Sequence, residues 1–221
     1  QMMLDALHDA GVSSDDETFQ RAIVFLSRCQ NRKASNSADW CRNDGGFVYT
    51  AANGGESLAS EVAGNGRNGD ENLNGASRSL RSYGSMTYAG YKSMLYAGLQ
   101  SDDPRVQAAL QWMQRNWTTS ENPGLGQQGF FYYAYTMSRA LRASGMREIT
   151  TPDGKQHDWR LELGRALLDR QNEDGSWINP TDRWLEGRQD LATIYAVLAL
   201  EEILKPLPSM VGPIPVEEGM E

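Results

Sequence analysis

The sequence predicts an all-α chain of repeated helical hairpins that curve into part of an α/α ring, joined by long loops. Two observations carry this. Residues 11–22 (GVSSDDETFQRA) lie without a gap over residues 98–109 (GLQSDDPRVQAA), matching at the glycine, the Ser-Asp-Asp run, a Gln and an Ala. Between such glycine stops, apolar residues recur at helical spacing in two alternating series.

Each matched stretch reads as a helix stop followed by a helix start. Gly11, Gly98 and a third glycine, Gly145, suit the left-handed position that ends a helix. Ser14 or Asp15, and Ser101 or Asp102, can cap the next helices, with Pro104 in a first turn, and the carboxylate pairs Asp15-Asp16 and Asp102-Asp103 read as caps facing the helix dipole. After Gly145 the connection is longer. Residues 151–155 (TPDGK) read as a hairpin turn, and Asp158 as the following cap.

One series of helices is amphipathic and is placed outside. Its buried faces are Phe19, Ala22, Ile23, Leu26 and Cys29, then Val106, Ala109, Leu110, Met113 and Trp117, then Trp159, Leu163, Ala166, Leu167 and Arg170. The other series, residues 83–97, 129–144 and 190–204, interleaves Ala, Gly and Ser with Tyr. Small residues allow close packing on both sides, so these helices are placed inside. Residues 2–10 match only the end of an inner helix. The order is then inner (partial), outer, inner, outer, inner, outer, inner.

Such an open array leaves an apolar edge at each end. Residues 1–204 are therefore expected to be the C-terminal part of a longer ring, or to have their ring closed by a protein partner. Residues 205–221 carry four prolines and are expected to be an extended tail. Residues 31–39 read as an insertion, and residues 44–82, rich in Gly, Asn and Ser, as a lid or a solvated excursion.

Composition narrows the function. Mean hydropathy is −0.59, and the longest clean apolar run, Ile194 to Leu200, falls far short of the roughly 20 residues of a membrane span. No leader segment is expected at residues 1–20. The net charge of −8 and the lack of a basic patch argue against binding nucleic acid through its phosphates. The two Cys and two His, at 29, 41, 8 and 157, are not at the spacing of a zinc site. No cofactor and no metal are expected. Residues 65–74 (NGRNGDENLN) offer oxygen ligands, but not at the spacing of a calcium loop.

One motif is specific. Gln171, Gly175 and Trp177 stand as Q-x-x-x-G-x-W directly after an outer helix. A glutamine amide there can bond backbone at the helix end, the glycine allows a tight turn, and the Trp can stack on the Gln and plug the gap between hairpins. Gln30 with residues 44–47 (DGGF) is a looser copy, and Gln114, Trp117 and Gly124 are a degenerate one. This pattern resembles the QW repeat of the squalene–hopene cyclase and protein prenyltransferase superfamily. Residues 83–90 (YGSMTYAG) and 189–200 also resemble inner helices of that superfamily. The resemblance implies an α/α toroid over about residues 1–204.

The superfamily's chemistry is not carried over with it. Where the resemblance places a cyclase's catalytic acid, this chain has Gln189, Leu191 and Ala192, or Tyr83, Ser85 and Met86. Where it places prenyltransferase zinc ligands, the chain has Gln128, Phe130 and Ala192. The expected function is therefore a binding or assembly module. The alternative is part of an isoprenoid cyclase whose acid lies outside this chain.

Seven tyrosines are candidates for lining a cavity that takes an apolar or isoprenoid ligand: Tyr83, Tyr88, Tyr91, Tyr132, Tyr133, Tyr135 and Tyr195. Core packing is the competing role for each of them. Cys29 and Cys41 flank the insertion and are candidates for a disulfide. A bond would imply an exported or periplasmic protein, and free thiols a cytoplasmic one.

Overall fold

In a computed structural model, residues 1–59 and 79–208 are described. Among them are α1 (Met2–Asp9), α2 (Glu17–Cys29), α3 (Gly84–Tyr96), α4 (Pro104–Arg115) and α5 (Phe130–Ser144). A hairpin of β1 (Glu148–Thr150) and β2 (Gln156–Asp158) follows, then α6 (Trp159–Leu168) and α7 (Gln189–Leu204). The hairpin is antiparallel and pairs Ile149 with His157. The chain is mostly helical, as expected. No helix of the described residues is long and apolar enough to cross a membrane.

The matched stretches do build matching helix starts, and in each aspartate pair the second residue is the cap. Asp16 accepts from Thr18 N at 2.8 Å, and Asp103 from Arg105 N at 2.8 Å. Both residues have ψ in the extended range, which aims the carboxylate back at the first turn, and Ser14, Asp15, Ser101 and Asp102 precede it. Asp158 caps α6 as expected, accepting from Arg160 N and Leu161 N. The half-buried caps at Asp103 and Asp158 each stabilise their helix by about 1 kcal/mol.

The less polar helices pack side by side: α1 against α3, α3 against α5, α5 against α7. The amphipathic helices lie against them, α2 and α4 on α3, and α6 on α5 and α7. Small residues make this possible. A Cβ on Gly90 of α3 would stand 2.6 Å from the Phe47 ring. Almost all of α3 and α5 is buried. In contrast, α7 buries Ala192, Ala196 and Ala199 and leaves Ile194, Val197 and Leu204 exposed.

The Gln-Gly-aromatic motif has a physical counterpart at two places. Gln171 Nε2 donates to Gly175 O at 2.9 Å, and Gln30 Nε2 donates to Gly45 O at 2.9 Å. Both glycines sit at positive φ, +84° and +87°, where a side chain would be strained. Two residues on, Trp177 and Phe47 are buried. Trp177 N donates to Thr193 Oγ1 at 3.0 Å, and Phe47 N to Thr87 Oγ1 at 3.1 Å. Before each glycine an aspartate closes the turn: Asp174 accepts from Ser176 N and Asp44 from Gly46 N. Trp177 Nε1 also bonds Leu167 O at 2.8 Å, so the indole is fixed to the end of α6.

The segment between Gln30 and Gly45 is folded inward. Asn31 is wholly buried and bonds Leu80 O, Ser82 Oγ and Arg42 N. Asn36 Nδ2 bonds Arg28 O and Gln30 O. In the 44–82 stretch Phe47, Val48, Ala59 and Leu80 are buried in the same way, while Tyr49 and residues 52–54 are exposed, and residues 60–78 lie outside the described residues. The run at 65–74 and most of the proline tail lie outside the described residues.

The disulfide expectation is corrected: Cys29 and Cys41 are both free and buried. Cys29 ends α2 inside the core, and burial pushes its thiol up to about 11. The Cys41 thiol is turned to backbone, bonding Arg42 O at 3.0 Å. Each thiol has its own packing, so flanking the same insertion does not bring them into a bond.

Candidate ligand cavity

The first turns of the inner helices bound a cavity of about 790 Å³. Tyr83 precedes α3, Tyr132 lies in the first turn of α5, and Tyr195 in the second turn of α7; all three line it. Ser85, Met86, Asn122 and Gly129 add to its walls. Tyr49, Glu56 and Leu58 come from the strand-like stretch after the Gly45 corner. Arg183, Trp184 and Glu186 complete it.

The other four candidate tyrosines are core residues away from this cavity. Tyr88 and Tyr133 meet edge to face at 5.7 Å, and Tyr133 OH bonds Thr118 O at 2.7 Å. Tyr91 is buried along α3. Tyr135 accepts from Arg139 and stacks on Tyr195, centroids 5.9 Å apart. Helical spacing explains the division. Residues 83, 132 and 195 sit near the open ends of their helices, while the others are farther along or on the packed faces.

The loop 182–188 is the most constrained part of the site. Trp184 and Leu185 have φ of +62° and +67°, a conformation costing non-glycine residues about 1–3 kcal/mol each. Several bonds hold it. Gly187 N donates to Asp182 Oδ1 at 2.8 Å, and Asn179 N to Glu186 O at 3.0 Å. The Glu186 carboxylate accepts from Tyr132 N at 2.8 Å, Phe131 N at 3.2 Å and Asn179 Nδ2 at 2.7 Å. It therefore caps α5 and anchors the loop together. Burial pushes its carboxyl above the usual range, and the bonds from Asn179 and the α5 backbone work the other way. The Trp184 ring packs on Gly129, where a Cβ would stand 3.0 Å away. The Arg183 guanidinium lies 4.5 Å over that ring and donates to Gln128 Oε1.

Asn122 fixes the opposite wall. Its Oδ1 accepts from Ser85 N and its amide donates to Gln128 O, which ties the starts of α3 and α5 to one side chain. Tyr132 and Tyr195 meet edge to face at 5.5 Å, and Tyr132 OH donates to Gln1 Oε1. The Tyr83 hydroxyl is buried with no hydrogen-bond partner among the described residues. Burial keeps this phenol neutral by raising its pKa well above the ordinary value.

A second cluster of charge lies between α1, α3 and α5. Lys92 is wholly buried with Asp5 at 2.5 Å, and Arg139 approaches Asp5 and Asp9 at 3.7 and 3.4 Å. Burial lowers the Lys92 pKa while Asp5 holds it up. A pair like this fixes which groups face each other and loses stability when one partner is removed. Here it ties α1 to the two central helices. Among the described residues no three His, Cys, Asp or Glu side chains gather as a metal set.

Glu56, Asn122, Arg183, Trp184 and Glu186 were not singled out by the sequence. Tyr83, Tyr132 and Tyr195 were, and the structure brings these three together. No family model, curated protein or solved structure matches the chain.

Proposed function

We propose that this chain is a ligand-binding module of the α/α-toroid type, built like the squalene–hopene cyclases and protein prenyltransferases, and that its ligand site is the cavity at the starts of α3, α5 and α7. The doubled Gln-Gly-aromatic corner and the alternation of inner and outer helices support the architecture. The observation that carries the binding role is the convergence of Tyr83, Tyr132 and Tyr195 with a strained loop held at several points. Strain maintained at a cavity wall is a mark of functional sites.

Binding is favoured over cyclase chemistry on this chain. Burial holds the Glu186 carboxyl above the usual range, the opposite of the strong acid that protonating an alkene needs, and its oxygens serve to cap α5 and hold the loop. An assembly role is compatible with this reading. Met2, Met3 and Phe25 at one end, and Ile194, Val197 and Leu204 at the other, leave apolar edges for a neighbour.

A thermal-shift screen of small molecules tests the binding role. Ligand present at about 100 times its Kd stabilises a protein by about 2.7 kcal/mol. Hits that vanish in Trp184→Ala support the site. Hits that persist unchanged in that variant, or a screen without hits, count against it.

A further inference from the structure

The chemistry of the cavity wall names a ligand class, an inference that rests on the binding role just proposed. We infer that the cavity takes an uncharged carbohydrate, a short oligosaccharide held between aromatic rings and a few polar groups. The volume, about 790 Å³, lies in the upper part of the roughly 300–1,000 Å³ that small-molecule sites span, which leaves room for more than one sugar ring.

Three other classes fit the wall less well. A hydrocarbon would strip water from Arg183 and Glu56 and offer no partner to any polar group of the wall. An unsatisfied buried polar group costs about 1–3 kcal/mol, and a charged one more. An anion would meet the Glu56 and Glu186 carboxylates with only Arg183 to balance them. An organic cation would meet the like charge of the Arg183 guanidinium, which already lies over Trp184.

A neutral sugar meets each demand. Its C–H faces lie against rings such as Tyr132, Tyr195 and Tyr49. Its hydroxyls both donate and accept. The Tyr83 hydroxyl, now unpartnered, donates to a sugar oxygen. The Glu56 carboxylate, which has no hydrogen bond or ion pair among the described residues, accepts a sugar hydroxyl. Arg183 retains donors beyond the one it gives to Gln128. Tyr49 is 51% exposed, so this ring at the rim is open to an incoming chain.

Isothermal titration tests this with the full chain. The probes are neutral cello-, xylo-, malto-, manno- and chito-tetrasaccharides, a polygalacturonate oligomer, farnesol and benzyltrimethylammonium. At least one neutral tetrasaccharide should bind with a Kd tighter than about 1 mM. Trp184→Ala should weaken it about tenfold or more. Tyr83→Phe, which keeps the ring and removes the donor, should weaken it about two- to tenfold. Circular dichroism melting of each variant separates lost binding from lost folding. If no neutral sugar binds while farnesol, the acidic oligomer or the ammonium probe binds in a Trp184-dependent way, the ligand class is wrong and the binding role survives. If no probe binds, both fall. Sugar binding untouched by either substitution also overturns the inference.

Discussion

At residue 30 the glutamine amide donates to Gly45 O and also to Arg105 O at the start of α4, and the side chain is wholly buried. At residue 171 the amide donates to Gly175 O from an exposed position. The turn itself is the same in both places, although donor and acceptor are 15 residues apart in one and 4 in the other. The second bond makes the difference. It joins the end of one outer helix to the beginning of the next, α2 to α4. No outer helix follows α6 among the described residues, so Gln171 closes its own turn and nothing else. The corner therefore has two separable tasks: setting the aromatic that meets the inner helix, and linking neighbouring hairpins.

The first task predicts the largest effects. Trp177→Ala should destabilise the chain by about 3–5 kcal/mol, and Phe47→Ala by a similar amount, because each deletes a large buried ring. Urea denaturation of the two variants measures this. A Trp177 variant as stable as wild type would mean that the second corner is ornamental and the parallel false.

Next come the threonines that receive the aromatic backbone N–H groups. Thr87 is wholly buried and also donates to Tyr83 O, while Thr193 is only half-buried. Thr87→Val should cost about 1–3 kcal/mol by orphaning the Phe47 N–H, and Thr193→Val less. The same denaturation series shows the order. The consequence reaches the cavity, because Thr87 and Thr193 belong to the turns that carry Tyr83 and Tyr195.

A smaller effect tests the other matched pair, the caps Asp16 and Asp103. Bonds from Arg105 hold the Asp103 carboxyl below its usual value of 3.8. A depressed carboxylate contributes stability that is complete above its unfolded pKa and is lost as pH falls through the folded value. The stability gap between wild type and Asp103→Ala should be steady above about pH 5 and narrow below about pH 4. Fully exposed Asp16, whose carboxyl the Thr18 backbone N–H lowers, should behave alike with a smaller gap. A gap that widens on acidification would contradict the cap assignment.

Much of the fold was legible because it is written locally. Glycine stops at 11, 98 and 145 take the positive φ expected of them, and the three inner stretches at 83–97, 129–144 and 190–204 are helices within a residue or two at each end. The hairpin turn at 151–155 and the Asp158 cap follow from turn chemistry in the same way. At Asp16 and Asp103 the sequence leaves the cap open, because Ser-Asp-Asp offers several capping side chains and backbone angles choose between them. The site was half legible. Tyrosine spacing named three of its rings. Nothing local marks Arg183, Trp184 and Glu186, since Trp and Leu do not favour positive φ and only contacts from Asp182, Asn179 and α5 impose it. The free thiols were missed for a related reason: sequence places Cys29 and Cys41 on either side of a loop, and side-chain packing alone decides whether they meet.

The stabilities of Gln30→Ala and Gln171→Ala, measured side by side in urea, test most directly whether one corner is used twice with different reach. Removing Gln30 leaves Gly45 O and Arg105 O without their buried donor, an expected loss of about 2–4 kcal/mol. Removing Gln171 breaks one exposed bond and should cost less than about 1 kcal/mol. Equal losses, or a larger loss at Gln171, would contradict the view that only the first corner links neighbouring hairpins.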